Sequence, residues 1–182
     1  MGKTTVVDQI KNGPQGHRYH VALTATTRPP REAEVDGVDY YFRDTRQFSR
    51  MLAQKELMEN ATVYGHQYGV PKGPVRDALG AEKDVLLRTD IQGARYIKMK
   101  WPQIVTIFLT SPSAEELSRR LESRGTEDAR EITARLEMAS TEIATAREFD
   151  YQVINDDVLR AAAEVEQIIA AERSRSREPL EL

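Results

Sequence analysis

The sequence predicts an α/β fold: a mainly parallel sheet flanked by helices, carrying a small β-rich lobe. Strand-like runs alternate with helical segments through most of the chain. One run, IVTIFL at 104–109, is continuously apolar, as a strand covered on both faces requires. Between residues 31 and 70 short β-type pieces interrupt the alternation, which marks an inserted lobe in a sheet otherwise built from right-handed crossovers.

Each element has a local reason. Residues 3–11 read as a helix that starts at once and stops at Asn12, Gly13, Pro14 and Gly16. The run 19–25 (YHVALTA) is strand-like and ends where Pro29 and Pro30 remove donors and restrict their neighbours. In the insert, 39–43 and 59–64 are β-type and flank a helix at 45–54, with Gly65-His66 as a hairpin turn. Residues 71–78 are helical with a proline near the start. Then follow a short strand at 84–87, a helix at 91–100, the strand at 104–109 and a helix at 113–124 opening on Ser113 and Glu116 in capping-box spacing. The segment 128–148 spaces Ile132, Leu136, Ala139 and Ile143 as one long helix. A strand at 151–154 and a helix at 158–173 complete the series, and SRSREPLEL is read as a frayed polar tail.

Composition narrows the function. The 182 residues suit one domain with a core of its own. There is no cysteine, which excludes disulfides, cysteine-ligated metal and a thiol nucleophile. A mean hydropathy of -0.58 and the lack of a long apolar run argue against a membrane span. Net charge is -3, from 26 basic and 29 acidic residues, so a nucleic-acid coat is not expected. The opening MGKTTVVDQIKNG shows no charged segment followed by an apolar one, and the expectation is a cytoplasmic protein.

Five constellations bear on chemistry. Gly2-Lys3-Thr4-Thr5 matches the end of G-x-x-x-x-G-K-[ST], a loop whose amides cradle phosphates at a helix start. Three such common residues also co-occur in ordinary surface helices. The second is Thr24-x-Thr26-Thr27-Arg28-x-x-Arg31-x-x-Glu34-x-x-Gly37-x-x-Tyr40-x-Phe42. Two arginines three apart after a strand can converge on one dianionic phosphate, although a solvated charged loop accounts for most such stretches. The third is Glu59 with Tyr64-Gly65-His66-Gln67-Tyr68-Gly69. The fourth is Thr89-Asp90-Ile91-Gln92-Gly93-Ala94, an acid at the C-terminal end of a strand, where open α/β sheets gather ligands and where helix caps also sit. The fifth is Arg120-x-x-x-Arg124-Gly125-Thr126-Glu127 followed by Arg135, like charges on one helix face that an anion would relieve. His17, His20 and His66 lack metal-ligand spacing, and Trp101 reads as packing.

Taken in order, GKTT, TATTRPPREAEVDGVDYYF, ENATVYGHQYGVPK, TDIQGA, RRLESRGTE and FDYQVINDD resemble guanylate kinase from Gly2 to about Val165. The resemblance implies a P-loop nucleoside-monophosphate-kinase fold with a β-rich GMP-binding lobe and a helical lid. It implies a core of about 1–28, 71–117 and 138–173, a GMP lobe of about 29–70, a lid of about 118–137 and a tail of 174–182. The implied reaction moves the γ-phosphoryl of ATP to GMP, and to dGMP, with Mg2+. Matched by position, Thr24, Arg28, Arg31, Tyr40 and Tyr68 face GMP, the last four around its phosphate, while Glu59 and Asp90 accept from the guanine edge. Gly2, Lys3, Thr4, Thr5 and Asn155 face ATP, with Thr4 also at magnesium. Lys3, Arg120, Arg124 and Arg135 act on the transferring group.

The sequence also departs from the family pattern. Thr24 replaces a usual serine and keeps the hydroxyl. Val70 stands where a Ser or Thr touches guanine, and Arg88 replaces an acid two residues before Asp90. The resemblance leaves the first strand and the front of the phosphate loop upstream of Met1, about 10–20 residues. Two other readings remain open at this point: a nucleotide- or protein-binding module without transfer, and a kinase for another phosphorylated acceptor. Partners implied are GMP or dGMP and ATP, with no nucleic acid or membrane, and with monomer or homo-oligomer undecided.

Overall fold

The computed structural model describes residues 2–110, 146–175, 180 and 182. In chain order the elements are α1 (Lys3–Asn12), a 3-10 turn (Gly16–Arg18), β1 (Tyr19–Val21), β2 (Ala25–Thr26), β3 (Tyr41–Phe42) and α2 (Thr45–Ala53). They continue with β4 (Leu57–Val63), β5 (His66–Pro71), α3 (Lys72–Gly80), β6 (Asp84–Leu86) and α4 (Ile91–Lys100). The last are β7 (Ile107–Thr110), a second 3-10 turn (Ala146–Glu148), β8 (Tyr151–Ile154) and α5 (Val158–Arg173). They fall into two compact units, one of Met1–Ile10 and Val105–Arg177, the other of Lys11–Ile104 and Glu178–Leu182. The helix expected at 113–124 lies outside the described residues. So does nearly all of the one at 128–148, whose last three residues form the second 3-10 turn.

The unit of residues 11–104 holds two sheets. In one, β1 and β6 run parallel, with Tyr19 opposite Asp84 and Val21 opposite Leu86. The other has four strands in the order β3-β2-β5-β4. There β2 pairs parallel with β3 and antiparallel with β5, and β4 returns to β5 through a turn in which Tyr64 and Gly65 have φ of 49° and 79°. Positive φ at both central residues matches the right-handed twist of the flanking strands, so the two-residue loop closes the hairpin tightly.

Two apolar clusters hold this unit. α2 starts with a capping box: Asp44 Oδ1 accepts from Gln47 N at 2.7 Å, and Asp44 N donates to Gln47 Oε1 at 3.0 Å. That fixes the helix so that Phe48, fully buried, packs on Ala25 and Leu57 beneath the four-stranded sheet. The second cluster joins Ala22, Met58, Val70, Val75, Ile97 and Trp101. Leu180 and Leu182, in a stretch read from sequence as frayed, are partly buried against it, and Arg76 Nη2 donates to the Leu182 carbonyl at 2.9 Å. The leucines supply apolar area that the polar composition of the tail hides.

In the other unit β7 and β8 are parallel, with Ile107 opposite Tyr151 and Thr110 opposite Ile154. This strand begins three residues later than the apolar run suggests. Ile104 N instead donates to the Trp101 carbonyl at 3.0 Å, and its side chain packs on the cluster around Trp101. Thr106 is tied to Asp150 by three bonds: its N and Oγ1 donate to Asp150 Oδ2 at 2.8 and 2.9 Å, and Asp150 N donates to its Oγ1 at 3.1 Å. Phe108 and Phe149 pack with ring centroids 5.1 Å apart. Asp157 caps α5 by accepting from Arg160 N at 2.9 Å, and the helix buries Ala161, Ala162 and Val165. Among the described residues no helix is long and apolar enough to cross a membrane.

Phe48 has no exposed surface and sits where helix meets sheet, so Phe48→Ala leaves a cavity rather than a collapsed gap. The expected cost is about 3–5 kcal/mol in denaturant unfolding, with the midpoint moved and the slope unchanged.

Candidate active site

The Thr-Thr-Arg segment after β2 is shaped by its own hydroxyls. Thr26, fully buried, accepts from Arg28 N through Oγ1 at 3.1 Å. Thr27 Oγ1 accepts from Gln67 N at 2.9 Å, and Thr27 N donates to the Gln67 carbonyl at 3.0 Å. These bonds end β2 against β5 and deliver the Arg28 side chain to a group of rings. Its guanidinium carbon lies 5.3 Å from the Tyr40 ring centroid and 5.8 Å from that of Phe42, within cation–π range. Tyr68 meets Tyr40 edge-on at 6.4 Å, and its phenol lies beside the same guanidinium. Arg28, Tyr40 and Tyr68 are thus brought together as the sequence implied. Arg31 is exposed three residues on, and its backbone N donates to Glu34 Oε2 at 2.8 Å.

The sequence names Glu34 in the arginine motif but gives it no role. Its two carboxylate oxygens accept from Arg28 Nη2 at 2.8 and 2.9 Å, and Arg28 Nη1 donates to the Pro29 carbonyl at 2.9 Å. The hydrogen bond from Arg28, with that from the Arg31 amide, holds the Glu34 carboxyl below the usual carboxylate range. Only its place six residues after Arg28 in the same motif could have flagged it.

A second group lies on β4 and at the start of α4. Glu59 is buried. Burial, with the nearby charge of Asp90 as a smaller cause, raises its pKa to about 7. Asp90 is the N-cap of α4, accepting from Gly93 N at 2.8 Å, so the helix-cap reading and the proximity to Glu59 are both true of it. Gly93 makes the approach possible. A Cβ there would lie 2.0 Å from Thr89 Oγ1 and 3.2 Å from Glu59 Oε2, so any side chain would force these groups away. Thr24 is half-buried, and its carbonyl accepts from Tyr41 N at 3.0 Å, placing it at the edge of the same four-stranded sheet. Val70 is turned into the apolar cluster with Met58 and Val75.

The remaining residues belong to the other unit. Gly2 adopts φ of +72°, and its carbonyl accepts from Val6 N at 3.1 Å to open α1. A Cβ on Gly2 would lie 2.5 Å from Asn155 Nδ2, so glycine lets the helix start close on the buried end of β8. Lys3, Thr4 and Thr5 form the exposed first turn, which contains no acidic residue. A first turn of this kind presents amides and positive dipole to an anion. Arg120, Arg124 and Arg135 lie outside the described residues.

Comparison with known proteins decides the family. Residues 1–172 match the guanylate kinase family model. The chain belongs to the guanylate kinase family. It is 43% identical over 175 residues to a protein named guanylate kinase from Streptococcus agalactiae serotype III (strain NEM316), covering 96% of this chain and 83% of the relative. To the protein of that name from Carboxydothermus hydrogenoformans it is 41% identical over 172 residues, 94% of this chain and 83% of the relative. The crystal structure of guanylate kinase from Anaplasma phagocytophilum matches at a TM-score of 0.77 and 32% identity, over 95% of this chain and 83% of that one. The α/β fold expected of a nucleoside-monophosphate kinase is therefore the fold this chain has.

Burial of Glu59 has a pH signature. Its folded pKa lies above the unfolded value, so the folded state holds the extra proton between 4.5 and about 7, and stability falls as pH rises through that window. Glu59→Gln removes the titration. The stability of the variant relative to the parent should climb from pH 5 to pH 8 and then level, as read by urea unfolding at each pH.

Proposed function

We infer that the chain transfers the γ-phosphoryl of ATP to GMP, yielding ADP and GDP, with dGMP as a second acceptor. The observation that carries the acceptor assignment is a single sheet bearing two complementary ends. At one end a guanidinium and two phenols (Arg28, Tyr40, Tyr68) offer charge and donors to a phosphate. At the other the buried Glu59 carboxylate, beside Asp90, offers acceptors. Guanine presents N–H groups on its Watson–Crick edge where adenine presents a ring-nitrogen acceptor, so adenine would leave these carboxylates unpaired and face acceptor with acceptor.

In this reading Arg28, Arg31, Tyr40 and Tyr68 hold the GMP phosphate, Thr24 keeps a hydroxyl near the nucleotide, and Glu59 and Asp90 take the base. Gly2, Lys3, Thr4 and Thr5 serve ATP at the start of α1, supported by the acid-free first turn and by the close approach of Gly2 to Asn155. Lys3 reaches the β- and γ-phosphates. The family resemblance gives Arg120, Arg124 and Arg135 the task of offsetting charge on the group in transfer, a role that contributes about 10³–10⁵ in rate in related systems.

Magnesium fits this site. Thr4 offers a hard hydroxyl oxygen at the start of a helix suited to phosphate, and Mg2+ is commonly held by few protein ligands together with substrate phosphates and water. When bound, the ion neutralises charge that builds between the β- and γ-phosphates. The rest is positioning: the protein supplies no nucleophile, because the acceptor phosphate oxygen attacks in line. A cytoplasmic setting follows for an enzyme that draws on ATP and GMP.

A coupled ADP-release assay tests the assignment. Lys3→Ala should remove turnover, and undiminished turnover would refute that lysine's role. Arg28→Ala should raise the KM for GMP by ~10- to 100-fold while that for ATP stays put, the size expected for hydrogen bonds to a charged group. AMP should be disfavoured against GMP by a factor on the order of 10⁴ in kcat/KM, and Glu59→Gln should shrink that ratio.

A further inference from the structure

The arginine loop already contains an anion of its own. Among the described residues, Glu34 is the acid that reaches the Arg28 guanidinium, with both oxygens within 2.9 Å of Nη2. One of those oxygens also takes the backbone N–H of Arg31 at 2.8 Å. A single carboxylate therefore bridges the two arginine positions assigned to the phosphate. Its side chain is only 18% exposed and that of Arg28 15%, so the pair is shielded more than an ordinary surface ion pair.

We propose that Glu34 is a built-in counter-anion that sets how tightly the acceptor's phosphate is held, positioning Arg28 through its hydrogen bonds while weakening phosphate binding through its charge. The proposal rests on the reading that Arg28 and Arg31 bind that phosphate. Arg28 has five N–H donors, of which Nη2 is turned to Glu34 and Nη1 to the Pro29 carbonyl. These two contacts fix the plane of the guanidinium over the Tyr40 and Phe42 rings. The donors left over point the bound phosphate to the same small cation that the carboxylate already neutralises. Two anions on one guanidinium repel across a few ångströms, and partial shielding from water strengthens that repulsion. The loop thus orders its arginine without presenting its full charge to phosphate. A site that must release a nucleoside diphosphate after each turnover gains from that moderation.

The two effects separate by variant and by ligand. Glu34→Gln removes the charge and keeps an oxygen for Arg28 or Arg31, whereas Glu34→Ala removes the charge and both hydrogen bonds. Dissociation constants for GMP, inorganic phosphate and guanosine are measured by calorimetry on both variants and the parent, with thermal unfolding as a check on integrity. E34Q should bind GMP and inorganic phosphate ~10-fold more tightly than the parent, a gain that shrinks in high salt, and should bind guanosine unchanged. E34A should bind GMP less tightly than E34Q, because Arg28 is then unheld. Weaker or equal GMP and phosphate binding by E34Q overturns the proposal, and so does a parallel change for guanosine, which would mean a general effect on the lobe. Arg28→Ala guards the underlying reading: unchanged GMP binding there refutes the phosphate role of Arg28, whereas weakened binding there with no gain in E34Q refutes the Glu34 proposal alone.

Discussion

Burying a carboxylate is costly, and the lobe around Glu59 is arranged to hold one. Its pKa near 7 is the trace of that cost. The arrangement needs a strand that carries the residue inward, so β4 buries Leu57, Met58 and Glu59 in succession before turning outward. It needs a helix start that comes close, which only glycine at residue 93 permits. The neighbours of Glu59 on β4 anchor the strand in the two apolar clusters, Leu57 with Phe48 and Met58 with Val70 and Ile97. Loosening any of these would let more water reach the carboxylate and lower its pKa and, in the proposed reading, would weaken its preference for a donor-bearing base. The packing and the specificity are in this sense one constraint.

In the proposed reading the two ends of the acceptor site work by different physics. At the base end, discrimination would come from directional acceptors that are buried and therefore expensive to leave unpaired. At the phosphate end the ligand would be a diffuse double charge, met by the forked donors of arginine and the single hydroxyls of the phenols. The rings of Tyr40, Phe42 and Tyr68 belong to the Arg28 end, where they shield its guanidinium and offer hydroxyls beside it. Thr26 and Thr27 use their hydroxyls internally, which explains their place directly before Arg28: they are turn-makers whose hydrogen bonds aim the arginine.

Elements with a strong period or a clear stop were legible in the sequence. The strand at 151–154 and the helices at 91–100 and 158–173 have the bounds their patterns suggest, and the hairpin turn lies at Tyr64-Gly65, one residue earlier than read. The strand read as 104–109 begins at Ile107, because an apolar run records burial and not the partner that provides it. Ile104 is apolar for the sake of the cluster around Trp101, and Thr106 is held by Asp150. The same blindness hid Leu180 and Leu182 in a polar tail. In the site, residues that carry family motifs were legible one by one. Their internal partners were not: Glu34 meets Arg28 only because the loop between them folds back, and Gly93 matters for an atom it lacks.

That asymmetry follows from how loops are determined. A helix or strand repeats its pattern, so several residues vote for the same structure. The loop from Arg28 to Tyr40 has no such redundancy: its shape is set by a few specific bonds, among them Arg28 to Glu34, Arg31 N to Glu34, and Val35 N to Asp39 Oδ2 at 2.8 Å. Each of those uses an acidic side chain to hold backbone or guanidinium, so the order of the loop places negative charge beside the arginines proposed to take phosphate. In the proposed reading a second arginine, Arg31, left exposed at the end of the same turn, offsets that charge. The density of acids and bases in TTRPPREAEVDGVDYYF then reflects an anion site built on a loop rather than on a helix start.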